Sequence, residues 1–139
     1  MRVLALDYGS SKCGVAISDP SGTLARPIDP IEQPGSEAGL GRITRLVDEL
    51  GVERIVVGLP IGLAGHHGAQ AAETEAYVAH LREHVTVPIE RLDERFTTKI
   101  AQRTVSEAKS NGAAVRSGED SIAAAHLLSN FLDSQHRAS

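Results

Sequence analysis

Apolar and polar positions follow two rhythms along this chain. Residues 2–7, Arg-Val-Leu-Ala-Leu-Asp, carry apolar side chains on both faces through Val3 to Leu6, the pattern of a central strand covered on both sides. Residues 13–19 repeat it after a short Gly/Ser turn, which predicts a hairpin. Pro20-Ser21-Gly22 is a second turn, and Thr23 to Asp29 predicts a third strand reaching Pro30. A segment containing Pro, Gly and Ser, 30–39, precedes a change of period. Leu40, Ile43, Leu46, Val47 and Leu50 recur at helical spacing, and Gly51 stands where a C-terminal cap belongs.

Arg54 to Pro60 predicts a short strand buried on both sides, followed by a loop with Gly62, Gly65 and Gly68. An Ala-rich helix is predicted over 69–84, with Val78, Leu81 and Val85 in one stripe. Residues 87–93 are strand-like, with Pro88 limiting them to an edge or a strand start. Two helices follow, about 97–110 and 118–134, separated by Asn111-Gly112. Three hairpin-linked strands before helix, strand, helix, strand, helix, helix predict an α/β fold, a mixed sheet with helices on both faces. Simple βαβ winding does not fit, because the first three strands lack crossovers.

Length then bounds the organisation. The 139 residues suit one domain, 1–135, with a polar, frayed tail at 136–139. No apolar run approaches the roughly 18 residues that span a bilayer, and the first strand begins too early for a signal peptide. One cysteine, Cys13, excludes an internal disulfide and fits a reducing cytoplasm. It sits at the start of an apolar run and reads as a small core residue. The net charge of −4 lacks the basic excess usual in nucleic-acid proteins, but carboxylates that hold cations reverse the local sign. Aromatic residues make up only 3%, so nucleic acid would be gripped by its backbone and shape, without base stacking.

The glycine-rich segments fail two phosphate-loop tests. Gly9 and Gly14 have P-loop spacing, but Val15-Ala16 stand where Lys and Ser/Thr must follow. The 62–68 loop lacks the close first pair of a dinucleotide fingerprint. Gly-x-Ser-x-Gly is absent. His66-His67, without Cys or acidic partners nearby, reads as a solvated loop pair, and His126 as a partly buried packing residue of the last helix.

The acids carry more. Asp7 ends an apolar strand, where burial alone gives no reason for a carboxylate. Asp93-Glu94 follows the last strand, and Glu119-Asp120 opens the last helix. Acids at two strand ends and one helix start, gathered on one side of a sheet, would hold Mg²⁺ or Mn²⁺ through hard oxygen ligands. Bound metal activates water for phosphodiester cleavage. Each acid also has a plainer role: helix-terminus charge for Glu119 and Asp120, with Ser117 as cap, and loop pairing with Arg91 or Arg95 for Asp93 and Glu94.

Four segments in order resemble the YqgF (RuvX) family: Asp-Tyr-Gly-x-x-x-x-Gly-Val-Ala-x-Ser-Asp-Pro at 7–20, Val-Val-Gly-Leu-Pro at 56–60, Asp-Glu-Arg-x-Thr-Thr at 93–98 and Asp-Ser-x-Ala-Ala at 120–124. The resemblance spans nearly the whole chain. It implies an RNase H-like fold, with a five-stranded mixed sheet whose first three strands are antiparallel. It also implies a nuclease that matures the 5′ end of 16S rRNA, or a resolvase of Holliday junctions. Asp7, Glu94 and Asp120 become the metal-binding catalytic acids, with Asp93 competing with Glu94. Arg95 and Thr98 would support an acid or contact phosphate, and Lys12, Lys99 and Arg116 are further nucleic-acid contacts. Arg42, Arg45, Arg103 and Lys109 are additional basic candidates. Family members often carry a Lys/Arg-rich stretch before the last acid, whereas Arg116 is the one basic residue of 110–117 here.

The expected activity is therefore metal-dependent hydrolysis of structured precursor rRNA, with branched DNA as the alternative substrate. The protein would act as a monomer or homodimer without a membrane. Two rival classes are a non-catalytic nucleic-acid-binding or ribosome-assembly module and an actin-like phosphotransferase fragment. The second lacks a second Asp-x-Gly half.

Overall fold

The computed structural model describes residues 1–59, 69–93 and 121–138. Its elements are β1 (Val3–Asp7), β2 (Lys12–Ser18), β3 (Ala25–Glu32), α1 (Glu37–Leu50), β4 (Arg54–Leu59), α2 (Ala69–Leu81), β5 (Ile89–Asp93) and α3 (Ile122–Ala138). They build a five-stranded sheet in the order β3-β2-β1-β4-β5. The first three strands are antiparallel neighbours, whereas β4 runs parallel to β1 and β5 parallel to β4. This is the mixed sheet expected from the order of elements: tight turns join the antiparallel strands, and each later parallel strand follows a helix.

Alternation of side chains across the sheet produces two core layers. Leu4 and Leu6 of β1, Val15 and Ile17 of β2, and Ile55 and Val57 of β4 pack with Leu40, Ile43, Tyr77, Val78 and Leu81 of α1 and α2. The opposite set, Val3, Ala5, Ala16 and Val56, packs with Ala124, Ala125, Leu127, Leu128, Phe131 and Leu132 of α3. Small residues on both sides of that second layer let the first turn of α3 approach the sheet closely. Cys13 is fully buried in the first layer, as a core residue should be. Among the described residues no helix is long and apolar enough to cross a membrane.

Several boundaries differ from the sequence pattern, each for a local reason. β3 was expected over 23–29 but spans Ala25–Glu32, passing through Pro27 and Pro30. It ends the strand order, where a missing N–H is tolerated. Thr23 and Leu24 instead belong to a turn, because both backbone N–H groups donate to Asp19 Oδ1 at 2.8 Å. α1 starts where Ser36 caps it, accepting from the Gly39 N–H at 3.0 Å. Gly51 closes it with φ 63°, donating to the Val47 carbonyl. α2 stops at Leu81 and not at 84, since residues 82–84 tighten into turns such as His84 N–H to Leu81 O at 2.9 Å. β5 begins only after Pro88, whose carbonyl accepts from Ile55 N–H at 2.9 Å. α3 runs to Ala138, past the end expected at 134. The helix expected over 97–110 and the 62–68 loop with His66-His67 lie outside the described residues.

Candidate active site

Asp7 is the last residue of β1, half-buried and paired with Gly14 of β2. It occupies the register position of Val3 and Ala5, whose side chains lie under α3. Because β1, β4 and β5 are parallel, their carboxyl ends share one edge of the sheet. Leu6 pairs with Val57 and Leu59 with Asp93, so the end of β5 arrives on that same edge. The two faces of β5 are also defined. Ile89 packs in the layer of α1 and α2, and Arg91 ion-pairs with Glu75 of α2. Leu92 packs in the α3 layer, and Glu90 bonds Arg54 at 2.9 Å. Even positions of β5 therefore share a face with Asp7.

The third approach to this edge is the start of α3. Ser121 is fully buried, and its hydroxyl accepts from Val15 N–H at 3.0 Å and donates to the Ile28 carbonyl at 2.7 Å. Val15 and Ile28 are partners across the β2–β3 ladder, next to a register shift between Cys13 and Val15. The hydroxyl is thus interposed between a strand donor and a strand acceptor. Val15 adjoins Gly14, the partner of Asp7. This contact ties the start of the last helix to the strand beside the acid.

The turn from β1 to β2 is shaped by its own backbone. A Cβ at Gly9 would stand 2.6 Å from the Lys12 carbonyl oxygen, so the turn requires glycine there before any ligand is considered. Beside it lies a cavity of about 230 Å³, lined by Asp7, Tyr8, Gly9, Ser10, Gln70, Glu73 and Thr74. Tyr8 donates to Glu73 at 3.3 Å, and burial together with that carboxylate raises its pKa. Burial, and secondarily the Asp7 charge, pushes the Cys13 thiol far above its ordinary range. Cys13 is therefore kept protonated and apolar beneath the acid. Asp19 belongs elsewhere, at the far end of β2. Its carboxylate accepts from Leu24 N–H, the Ser21 hydroxyl and Thr23 N–H, and these bonds hold its pKa down.

Of the residues picked from sequence, Asp7 and Lys12 are described. Lys12 is exposed at the start of β2, across the turn from Asp7. Glu94, Arg95, Thr98, Lys99, Arg116 and Asp120 lie outside the described residues, as do Arg103 and Lys109. Arg42 and Arg45 are exposed on α1. Among the described residues no three His, Cys, Asp or Glu side chains gather closely enough to hold a metal ion. Sequence reading missed Gln70, Glu73 and Thr74, which no local motif marks, and the role of Ser121. A serine beside an acid at a helix start looks like an ordinary cap.

The strand order and the position of Asp7 define an RNase H-like fold. It superposes on T. thermophilus RuvC in complex with a Holliday junction substrate with a TM-score of 0.66, at 14% identity over 98% of this chain and 96% of that one. The Fowlpox virus resolvase, solved with Holliday junction DNA, gives 0.57 at 10% identity, over 97% and 99%. The chain belongs to the RuvX family, whose family model, described as Holliday junction resolvase, matches residues 1–134. A Pelotomaculum thermopropionicum protein named "Putative pre-16S rRNA nuclease" is 42% identical over 99% of this chain and 90% of its own length. A relative of the same name from Thermoanaerobacter pseudethanolicus is 40% identical over 97% of this chain and 98% of its own length.

Proposed function

We propose that this chain is a metal-dependent endonuclease that hydrolyses phosphodiester bonds, with the 5′ region of pre-16S rRNA as its substrate. The observation that carries this reading is the approach of three chain segments to one sheet edge: the β1 end at Asp7, the β5 end at Asp93, and the α3 start pinned by Ser121. In sequence, Glu94 follows the second and Asp120 precedes the third. Asp7, Glu94 and Asp120 are thereby the acids assigned to the reaction. Glu94 is taken ahead of Asp93 because the resemblance in Asp-Glu-Arg-x-Thr-Thr at 93–98 carries the role to that position.

Carboxylate oxygens suit hard divalent cations, so the donor set fits Mg²⁺ or Mn²⁺. Such ions, when bound, supply an activated water and neutralise charge on the phosphate. The residues of the chain do the rest. Asp7, Glu94 and Asp120 would hold the ions and orient the attacking water in line with the leaving oxygen. Lys12, Lys99 and Arg116 would position the backbone by charge, and Arg95 and Thr98 would contact the phosphate or steady an acid. Tyr8 and Gly9 would form the wall past which the backbone runs.

The test is cleavage of a 5′-extended 16S precursor RNA and a matched four-way DNA junction, each with Mg²⁺, with Mn²⁺ and with EDTA. RNA cleavage that requires metal and disappears in Asp7→Asn supports the proposal. Junction cleavage alone would transfer the assignment to the DNA substrate named by the family description. Metal-independent cleavage, or an Asp7→Asn variant as active as wild type, sinks it.

A further inference from the structure

We infer that Ser121 is the positioning residue of the site: its hydroxyl, inserted between Val15 and Ile28, sets the placement of the acid that precedes it relative to Asp7. The inference rests on the assignment of Asp7, Glu94 and Asp120 above, and it concerns the first and the last of them.

The path is short and made of backbone. Asp7 pairs with Gly14, Gly14 is bonded to Val15, Val15 donates to Ser121 at 3.0 Å, and Ser121 is bonded to Asp120. No flexible side chain intervenes except the serine hydroxymethyl, itself fully buried and bonded on its other side to Ile28 O at 2.7 Å. The site of insertion is also particular. β3 carries an extra residue between Ile28 and Ile31, opposite Gly14, so the ladder opens beside Val15 and leaves room for the hydroxyl. Ser121 already accepts the first helical bond of α3, from Ala125 N–H at 3.0 Å, through its carbonyl. Its side chain is directed to the sheet and not to the helix's own amides. Ala124 and Ala125, both fully buried, allow this close seating. A serine used only for packing would need neither strand bond. Groups that orient a metal ligand in this way typically change affinity or activity by about 10- to 100-fold when lost.

Stability loss is the confounding effect, and the fold supplies its own control. Ser18 is likewise fully buried, and its hydroxyl accepts from Val3 N–H at 2.8 Å, at the opposite end of β1. Ser18→Ala therefore removes a comparable buried bond far from Asp7. The experiment measures Mn²⁺ binding by calorimetry, and RNA cleavage, for wild type, Ser121→Ala, Ser18→Ala and Asp7→Asn, with the unfolding midpoint of each. Ser121→Ala is expected to bind Mn²⁺ about 10-fold more weakly and to lower kcat with little change in KM for RNA, while Ser18→Ala loses stability alone. Equal Mn²⁺ affinity in Ser121→Ala and Ser18→Ala, or no Mn²⁺ binding by wild type, would overturn the inference. If Ser121→Ala does not fold, Ser121→Cys keeps the side chain's connectivity, slightly larger and with a weaker hydrogen bond, and is judged by the same two criteria. Cleavage by Asp7→Asn tests the nuclease assignment separately, since the calorimetric comparison does not depend on turnover.

Discussion

Tyr8 and Tyr77 stack with ring centroids 4.4 Å apart and planes inclined by 25°, which fastens the residue after Asp7 to α2. Tyr77 is in turn anchored by its hydroxyl, which donates to the Pro34 carbonyl at 3.1 Å ahead of α1. A double-mutant cycle with Tyr8→Leu and Tyr77→Leu, followed by urea unfolding, should give a coupling of about 0.5–1.5 kcal/mol. Tyr77→Phe should cost about 1 kcal/mol through the unpaired carbonyl. Independent, additive effects would show that the stack does not fasten the two elements.

Gly9→Ala should destabilise the protein by about 1–3 kcal/mol, because the new methyl meets a backbone carbonyl that cannot swing away. The shift moves Lys12 and the start of β2, so substrate cleavage should fall as well. Chemical denaturation and initial rates on the precursor RNA check both effects. Gly41, whose added Cβ meets nothing within 4 Å, is the natural comparison and should tolerate alanine.

The Cys13 thiol should be inert in the native protein. It is fully buried, and both burial and the nearby Asp7 charge disfavour its thiolate. Reaction with a thiol-specific disulfide reagent should be on the order of 100-fold slower than in denaturant, since it requires opening of the core. Rapid native-state labelling would show that the edge beneath Asp7 is open.

His126 should make stability fall on mild acidification. Its Nε2 is buried with no hydrogen-bond partner among the described residues, and burial lowers its pKa below the ordinary histidine value. The unfolded chain then binds the proton more readily than the folded one. The stability this neutral ring contributes is complete above about 6.5, the unfolded value, and is lost as pH falls through it toward the lower folded value. Thermal midpoints at pH 7.5 and pH 5 should differ less in His126→Leu than in wild type. An equal difference would mean that the ring charges without penalty.

Much of this architecture was legible because pattern and burial agree. The doubly apolar runs at 2–7 and 54–60 became β1 and β4, the central strands, and the stripe from Leu40 to Leu50 became the buried face of α1. Asp7 stood out for a physical reason, as a charge at the tip of a strand with no solvent-facing side. Boundaries were less legible where hydrogen bonds, not hydrophobicity, decide them. Asp19 removed Thr23 and Leu24 from β3, and Ser36 fixed the start of α1. The cavity wall from Gln70, Glu73 and Thr74 could not be read from sequence, because tertiary packing alone brings α2 to Asp7. The two faces of β5 likewise became readable only once Arg91 and Leu92 had been assigned to opposite sides.

Pro27 and Pro30 give β3 a property that concerns other molecules more than this one. The strand stands at one end of the sheet order, and two of its positions carry no N–H. A strand from a second copy that tried to extend the sheet there would meet an interrupted row of donors, at a place already distorted by the register shift. Edges built in this way resist strand-to-strand aggregation. The same irregular edge that admits a serine from within is a poor template for growth from outside.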